Sequence, residues 1–103
     1  MLSLVHASSL DEALAFLDRS AYGNQASLFT SNGAAARRFR YETPAGNIGI
    51  NIGVAAPMAY FPFSGWKDSL FGVQHGQGRD AVEFYTEKKV IVERWAAEHS
   101  RKF

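Results

Sequence analysis

The sequence predicts an α/β fold built as strand–helix–strand–helix–strand on a parallel sheet, followed by a long aromatic loop, a short helix and a terminal strand. Three observations predict it. Apolar residues at helical spacing alternate with short apolar runs through the first half. Isoleucine at every second position gives one of those runs two distinct faces. Near the other end, Lys88 to Trp95 (KKVIVERW) is dense in residues that favour strands. Strands joined by helical crossovers wind right-handed and pair in parallel.

Leu2 to His6 is a short apolar run and reads as the first strand. Ser9-Leu-Asp-Glu12 matches a capping box, where the serine oxygen and the glutamate take up free amides at a helix start. Leu10, Ala13, Leu14 and Leu17 supply the apolar stripe. Tyr22-Gly23-Asn24 reads as the helix end, because glycine takes the left-handed conformation at little cost. Ala26 to Thr30 is the second strand, Ser31-Asn32-Gly33 a turn and cap, and Ala34 to Tyr41 the second helix, stopped by Pro44. Asn47 to Gly53 is the third strand. There Ile48, Ile50 and Ile52 share one face, while Gly49, Asn51 and Gly53 share the other, where a ligand or another backbone can come close. Parallel sheets need both faces covered, and two helices wound in one direction cover one. The other face is expected to be apolar and to want a partner.

Asn51 to Val73 (NIGVAAPMAYFPFSGWKDSLFGV) has neither helical nor strand period. Loops of that length are uncommon inside a compact domain and usually carry function. Tyr60, Phe61, Phe63, Trp66 and Phe71 are costly to leave wet, so the loop should line a pocket or lie against something else. Gly78 to Tyr85 reads as a short helix with Ala81, Val82, Phe84 and Tyr85 on its apolar side. In the terminal strand Ile91 and Trp95 lie on one face and Val90 and Val92 on the other, a pattern that invites pairing with another sheet. Ala96 to Phe103 reads as a charged, fraying tail.

Composition narrows the function. A chain of 103 residues holds one domain and is only marginally stable alone. A formal charge of +1 points away from nucleic acid, and Arg37, Arg38 and Arg40 read as a solvated helix face. There is no cysteine, hence no disulfide, zinc-thiolate site or cysteine nucleophile in these residues. The first residues lack a signal-peptide pattern, and no apolar run reaches the ~18 residues that span a bilayer. A soluble, cytoplasmic protein without a membrane partner is the expectation.

The remaining candidates are weak. His6, His75 and His99 lack metal-ligand spacing and read as ordinary surface or core histidines, so no metal site is expected. Gly76-Gln-Gly78-Arg79 before a helix is an anion cradle or, more simply, a helix-entry turn. Ser64, Asp68 and Ser69 lie outside any Gly-x-Ser-x-Gly elbow. Lys67 is a ligand for a carboxylate or phosphate, or a structural contact. From the residues alone, only an aromatic pocket wall stands out.

Several segments resemble a known family. Pro62-Phe-Ser-Gly-Trp-Lys-Asp-Ser69, shortly after Gly49-Ile-Asn-Ile52, is similar to a segment near the end of aldehyde dehydrogenases. Tyr22-Gly23 ahead of Phe29-Thr30, and Phe84-Tyr-Thr-Glu-Lys-Lys-Val90, match in the same order, so the resemblance covers nearly the whole chain. Asn47 to Asn51, Ala56 to Lys67 and Glu83 to Val90 look like the CoA-acylating methylmalonate-semialdehyde dehydrogenase branch. Ser64 and Val73 depart from the wider pattern, where glycine and an acidic residue are expected.

The resemblance implies that residues 1–86 are the C-terminal part of a catalytic domain, 87–95 an oligomerisation strand and 96–103 a tail. It implies a full-length enzyme in which a cysteine thiolate attacks an aldehyde, hydride passes to NAD and CoA takes the acyl group. NAD and CoA would belong to that enzyme, with no cofactor on this chain alone and no catalytic residue in it. Phe63, with Tyr60 and Phe61, would line the aldehyde pocket. Asn51, Gly65 and Lys67 would support the loop. Val90, Ile91, Val92 and Trp95 would join a neighbouring subunit's sheet. The chain would then be an inactive fragment whose partner is the remainder of the enzyme or a like subunit. The alternative is a stand-alone binding or assembly module derived from such an enzyme.

Overall fold

In the computed structural model, which describes residues 2–73 and 75–95, two helices lie over one face of a small parallel sheet. The elements are α1 (Leu10–Arg19), β1 (Tyr22–Gly23), β2 (Gln25–Leu28), α2 (Gly33–Glu42), β3 (Asn47–Ile50), β4 (Trp66–Lys67) and α3 (Arg79–Phe84). β2 and β3 pair in parallel from Gln25↔Asn47 to Leu28↔Ile50, and β1 pairs antiparallel with β4.

Local chemistry sets both long helices. The Ser9 side chain accepts the Glu12 amide at 3.2 Å. The Glu12 carboxylate reaches one residue past the expected partner and takes the Ser8 amide and hydroxyl, each at 2.7 Å. Those hydrogen bonds, the backbone one foremost, hold the Glu12 carboxyl below its ordinary value. α2 starts on Asn32, whose Oδ1 accepts the amides of Ala34 (2.9 Å) and Ala35 (3.1 Å), and ends at Thr43, just before Pro44. Arg38 of the expected basic face binds Asp11 of α1 and Glu42 of its own helix, which hold its guanidinium more firmly protonated.

Ala26, Leu28, Ile48 and Ile50 meet Leu10, Leu14, Leu17 and Phe39 from the helices. Leu14, Ala26, Phe39 and Ala45 are the buried hydrophobic residues. The opposite sheet face carries Gln25, Ser27, Asn47 and Gly49. The expected uncovered apolar face is therefore corrected: it is polar and small, and the chain after β3 folds back over it. Gly53 O receives Gln25 Nε2 at 3.0 Å, and an added Cβ on Gly49 would lie 2.8 Å from Ile52 O.

Two further expectations are corrected. Leu2 to His6 forms no strand, and Leu2 and Leu4 are exposed, because a strand exists only where a neighbouring edge receives its amides. Gly23 does not end α1; the helix stops at Arg19 with Ser20 extended behind it. Gly23 is needed instead for space, since a Cβ there would lie 2.6 Å from Pro44 O. Among the described residues Lys88 to Trp95 takes no ladder, and Val90, Ile91, Val92 and Trp95 stand exposed. Its expected pairing edge was on another subunit, which a single chain does not supply. The expected tail, residues 96–103, lies outside the described residues, as does His99. No helix among the described residues is long and apolar enough to cross a membrane.

Candidate functional site

The loop from Asn51 to Val73 is anchored at its start by one side chain. Asn51 has a left-handed backbone (φ 58°), which asparagine tolerates better than most residues. That turn aims its amide at Thr30, accepting the Thr30 N–H at 2.8 Å and donating to the Thr30 carbonyl at 3.1 Å. The ends of β2 and β3 are thereby tied.

Ser64 to Ser69 anchors the other side. Asn47 Nδ2 donates to the carbonyls of Ser64 and of Asn24, the latter at 3.1 Å. Gly65 lies flat on Gly46, where a Cβ on Gly46 would come within 2.5 Å of Gly65 N. Trp66 and Lys67 pair with Gly23 and Tyr22, and Ser69 Oγ accepts the Gly23 amide at 3.0 Å. Lys67, also left-handed at φ 53°, donates from Nζ to the carbonyls of Leu17 (3.1 Å), Asp18 (2.8 Å) and Ser20 (2.9 Å). Those carbonyls lie at the C-terminal end of α1, where unpaired C=O groups and the helix dipole favour a cation. All three ammonium donors are thus engaged inside the chain, which leaves none for a substrate anion.

Between the anchors lie Tyr60, Phe61 and Phe63, exposed by 67%, 56% and 43%. The rings of Tyr60 and Phe61 pack at 4.7 Å, tilted by 48°. A turn between Met58 and Phe61 (2.9 Å) holds them. The expected pocket residues therefore stand together on an anchored loop, with their rings largely open.

The turn before α3 supplies a cluster that the sequence reading passed over. His75 Nδ1 lies 2.9 Å from Asp80 Oδ2, and the His75 amide donates to the same oxygen at 3.1 Å. These bonds, the side-chain one first, hold the Asp80 carboxyl below the usual carboxylate range. His75 Nε2 is buried without a hydrogen-bond partner. It borders a cavity of 250 Å³ lined by Leu70, Gly76, Ala81, Phe84 and Tyr85. Gly78 (φ 66°) caps α3 and gives its amide to Ala59 O at 3.1 Å. The Gly-Gln-Gly segment is a helix-entry turn, as its simpler reading had it, with no free Gly78 amide for an anion. A His-x4-Asp spacing across two glycines was the only signal for this cluster. Among the described residues no three histidine or carboxylate groups gather as a metal ion would require.

The aldehyde dehydrogenase family profile matches residues 1–91. The chain belongs to the aldehyde dehydrogenase family. Malonate-semialdehyde dehydrogenase of Halalkalibacterium halodurans is 55% identical over 92% of this chain, and malonate-semialdehyde dehydrogenase 1 of Geobacillus kaustophilus is 54% identical over the same share. In each case the match spans 20% of the relative's length. Among solved structures, a protein of Sinorhizobium meliloti 1021 described as a methylmalonate-semialdehyde dehydrogenase complexed with NAD superposes with a TM-score of 0.91 at 37% identity, over 96% of this chain and 20% of that one. Methylmalonate-semialdehyde dehydrogenase of Oceanimonas doudoroffii gives 0.85 at 42% identity, over 91% of this chain and 19% of that one. This aldehyde dehydrogenase chain thus has the mixed α/β fold of its family and about a fifth of the length of the relatives it matches.

Proposed function

We propose that this chain works as the C-terminal part of an NAD-dependent, CoA-acylating (methyl)malonate-semialdehyde dehydrogenase, in which residues 1–86 complete the catalytic domain and 87–95 a subunit interface. The observation that carries the reading is the aromatic loop: Tyr60, Phe61 and Phe63 are held from both sides yet keep 43% or more of their surface open. Rings that are positioned but not covered are suited to form one wall of an apolar pocket whose other walls come from elsewhere. In that role Phe63, Tyr60 and Phe61 bound the aldehyde and exclude water from it. Asn51, Gly65 and Lys67 keep the wall in place. Val90, Ile91, Val92 and Trp95 provide an apolar edge for the remainder of the enzyme or a like subunit.

The thiol that attacks the aldehyde is supplied by residues outside these 103, which contain no cysteine. NAD and CoA, when bound to the whole enzyme, supply hydride acceptance and the acyl-accepting thiol. The described residues of this chain do not fit a dinucleotide cradle. Its glycine-rich turn before a helix has the Gly78 amide engaged with Ala59, and α3 is six residues long. We therefore assign no dinucleotide contact to this chain.

Complementation tests the reading. A relative's gene lacking the matching 95-residue segment is co-expressed with this chain. NADH formation from malonate semialdehyde and CoA is expected only when both are present. Turnover by this chain alone, or a stable, cooperatively melting homo-oligomer that never joins the truncated relative, would favour a self-sufficient module.

A further inference from the structure

The turn from His75 to Asp80 touches the back of the aromatic loop closely at Gly78, backbone against backbone. A Cβ on Gly78 would lie 2.7 Å from Tyr60 O and 2.8 Å from the Phe61 carbonyl carbon, so no side chain separates the two segments. The Gly78 amide donates to Ala59 O at 3.1 Å, and Gln77 Nε2 to Pro57 O at 3.4 Å. Three consecutive residues with two glycines among them have little stiffness of their own. What closes this turn is the Asp80 carboxylate, which receives both donors of His75 on one oxygen.

We propose that His75 and Asp80 are a positioning pair, which stiffens the Gly76–Gly78 turn into a strut and thereby sets where Tyr60 and Phe61 stand. The consequence for a reaction rests on the pocket-wall reading of those rings; the strut does not.

The chemistry of the pair also sets the tautomer of the ring. An ionised carboxylate only accepts hydrogen bonds, so Nδ1 carries the proton and the buried, unpartnered Nε2 keeps its lone pair in the neutral ring. That nitrogen belongs to a ring bordering a cavity walled by Leu70, Ala81 and Phe84. Of the titratable groups on the surrounding elements, Asp80 holds Nδ1 and Tyr85 borders the imidazole's cavity. Arg79, Glu83 and Lys88 form ion pairs with one another on and after α3. Tyr60 lies on the loop opposite, and Lys67 and Asp68 on the segment leading to Leu70, with the Lys67 ammonium engaged at the end of α1.

NMR on the full 103-residue chain tests this without turnover, so its outcome is separate from that of complementation. Imidazole nitrogen shifts are expected to report His75 as the Nδ1–H tautomer at neutral pH. The ring signals of Tyr60 and Phe61 are expected to stand apart from random-coil positions, as those of Phe39 do. Asp80→Ala should shift His75 toward the Nε2–H tautomer and bring the Tyr60 and Phe61 signals to random-coil positions, with Phe39 unchanged. Asp80→Asn retains an acceptor oxygen and should restore the Nδ1–H tautomer and return those signals near their native positions. Unchanged Tyr60 and Phe61 signals in Asp80→Ala overturn the proposal. Should that variant lose the Phe39 signals too, Asp80→Asn decides. Loop signals that stay at random-coil positions in Asp80→Asn while His75 regains the Nδ1–H tautomer overturn the pair, and their return sustains it.

Discussion

Among the described residues, Leu14, Gly23, Ala26, Phe39, Thr43, Ala45 and Gly49 are buried between residues 9 and 50, whereas from Asn51 onward only Gly65 is. The first region is held by hydrocarbon packed between helices and sheet. The second is held by single polar bonds and by glycines that let backbones touch: Asn51 on Thr30, Lys67 on the end of α1, Gly65 on Gly46, His75 on Asp80. Apolar packing is forgiving in detail and large in total. A clamp of single bonds is specific and small. The difference explains how the second region can present aromatic rings to the outside without collapsing onto them.

Substitutions that act on one region and spare the other probe this contrast. The largest effect is expected for Phe39→Ala, which removes a ring that is only 4% exposed. It should cost about 3 to 5 kcal/mol, which for a domain of this size shows in urea melts as loss of the folded state. Gly46→Ala strikes the clamp by placing a Cβ 2.5 Å from Gly65 N. A loss of about 2 to 3 kcal/mol in the same melts is expected, and an unchanged midpoint would show that the contact yields freely. Lys67→Met keeps the stem but removes the charged donors at the end of α1. About 1 to 2 kcal/mol should be lost, with faster amide exchange confined to the last turn of α1 and to β4.

Acid should loosen the turn at 75–80 ahead of α2. The Asp80 carboxyl is held down by His75, so its contribution is complete above the ordinary carboxylate pKa and disappears as pH falls through the lower folded value. Exchange of the amides at 75–80 is expected to accelerate in that acid range before that of α2. The smallest effect on the monomer is expected for Ile91→Lys, on a side chain already 68% exposed. Its melting should shift by no more than about 0.5 kcal/mol, while light scattering of the assembled enzyme reports a lower mass. An unchanged assembled mass would remove the arm from the interface.

The same contrast decides how much was legible in the sequence. Ser9 and Asn32 cap the helices as read because a cap involves residues two or three apart. The alternation around Ile48 and Ile50 fixed which side of β3 meets the helices. The face opposite was misread because apolar content was assigned to the sheet as a whole, although Gln25, Ser27, Asn47 and Gly49 were plain in the text. Leu2 to His6 was misread because a strand depends on a partner edge as much as on its own residues. Within the site, the aromatic run and the Gly-Trp-Lys segment were visible. Their contacts were not: Lys67 reaches residues about fifty positions back, and Ser69 bonds Gly23, separations at which local pattern carries no information. His75 and Asp80 were overlooked because neither residue is unusual until the two glycines between them fold the turn.

One consequence follows from the double anchoring of the aromatic loop. Asn51 secures its entry to the end of β2, and Ser64 to Ser69 secure its exit to the opposite end of the same sheet. Neither attachment depends on the covalent thread between them. A nick near Ala55 would leave two peptides that stay associated, which makes that stretch the natural seam for assembling this molecule from two separately synthesised halves.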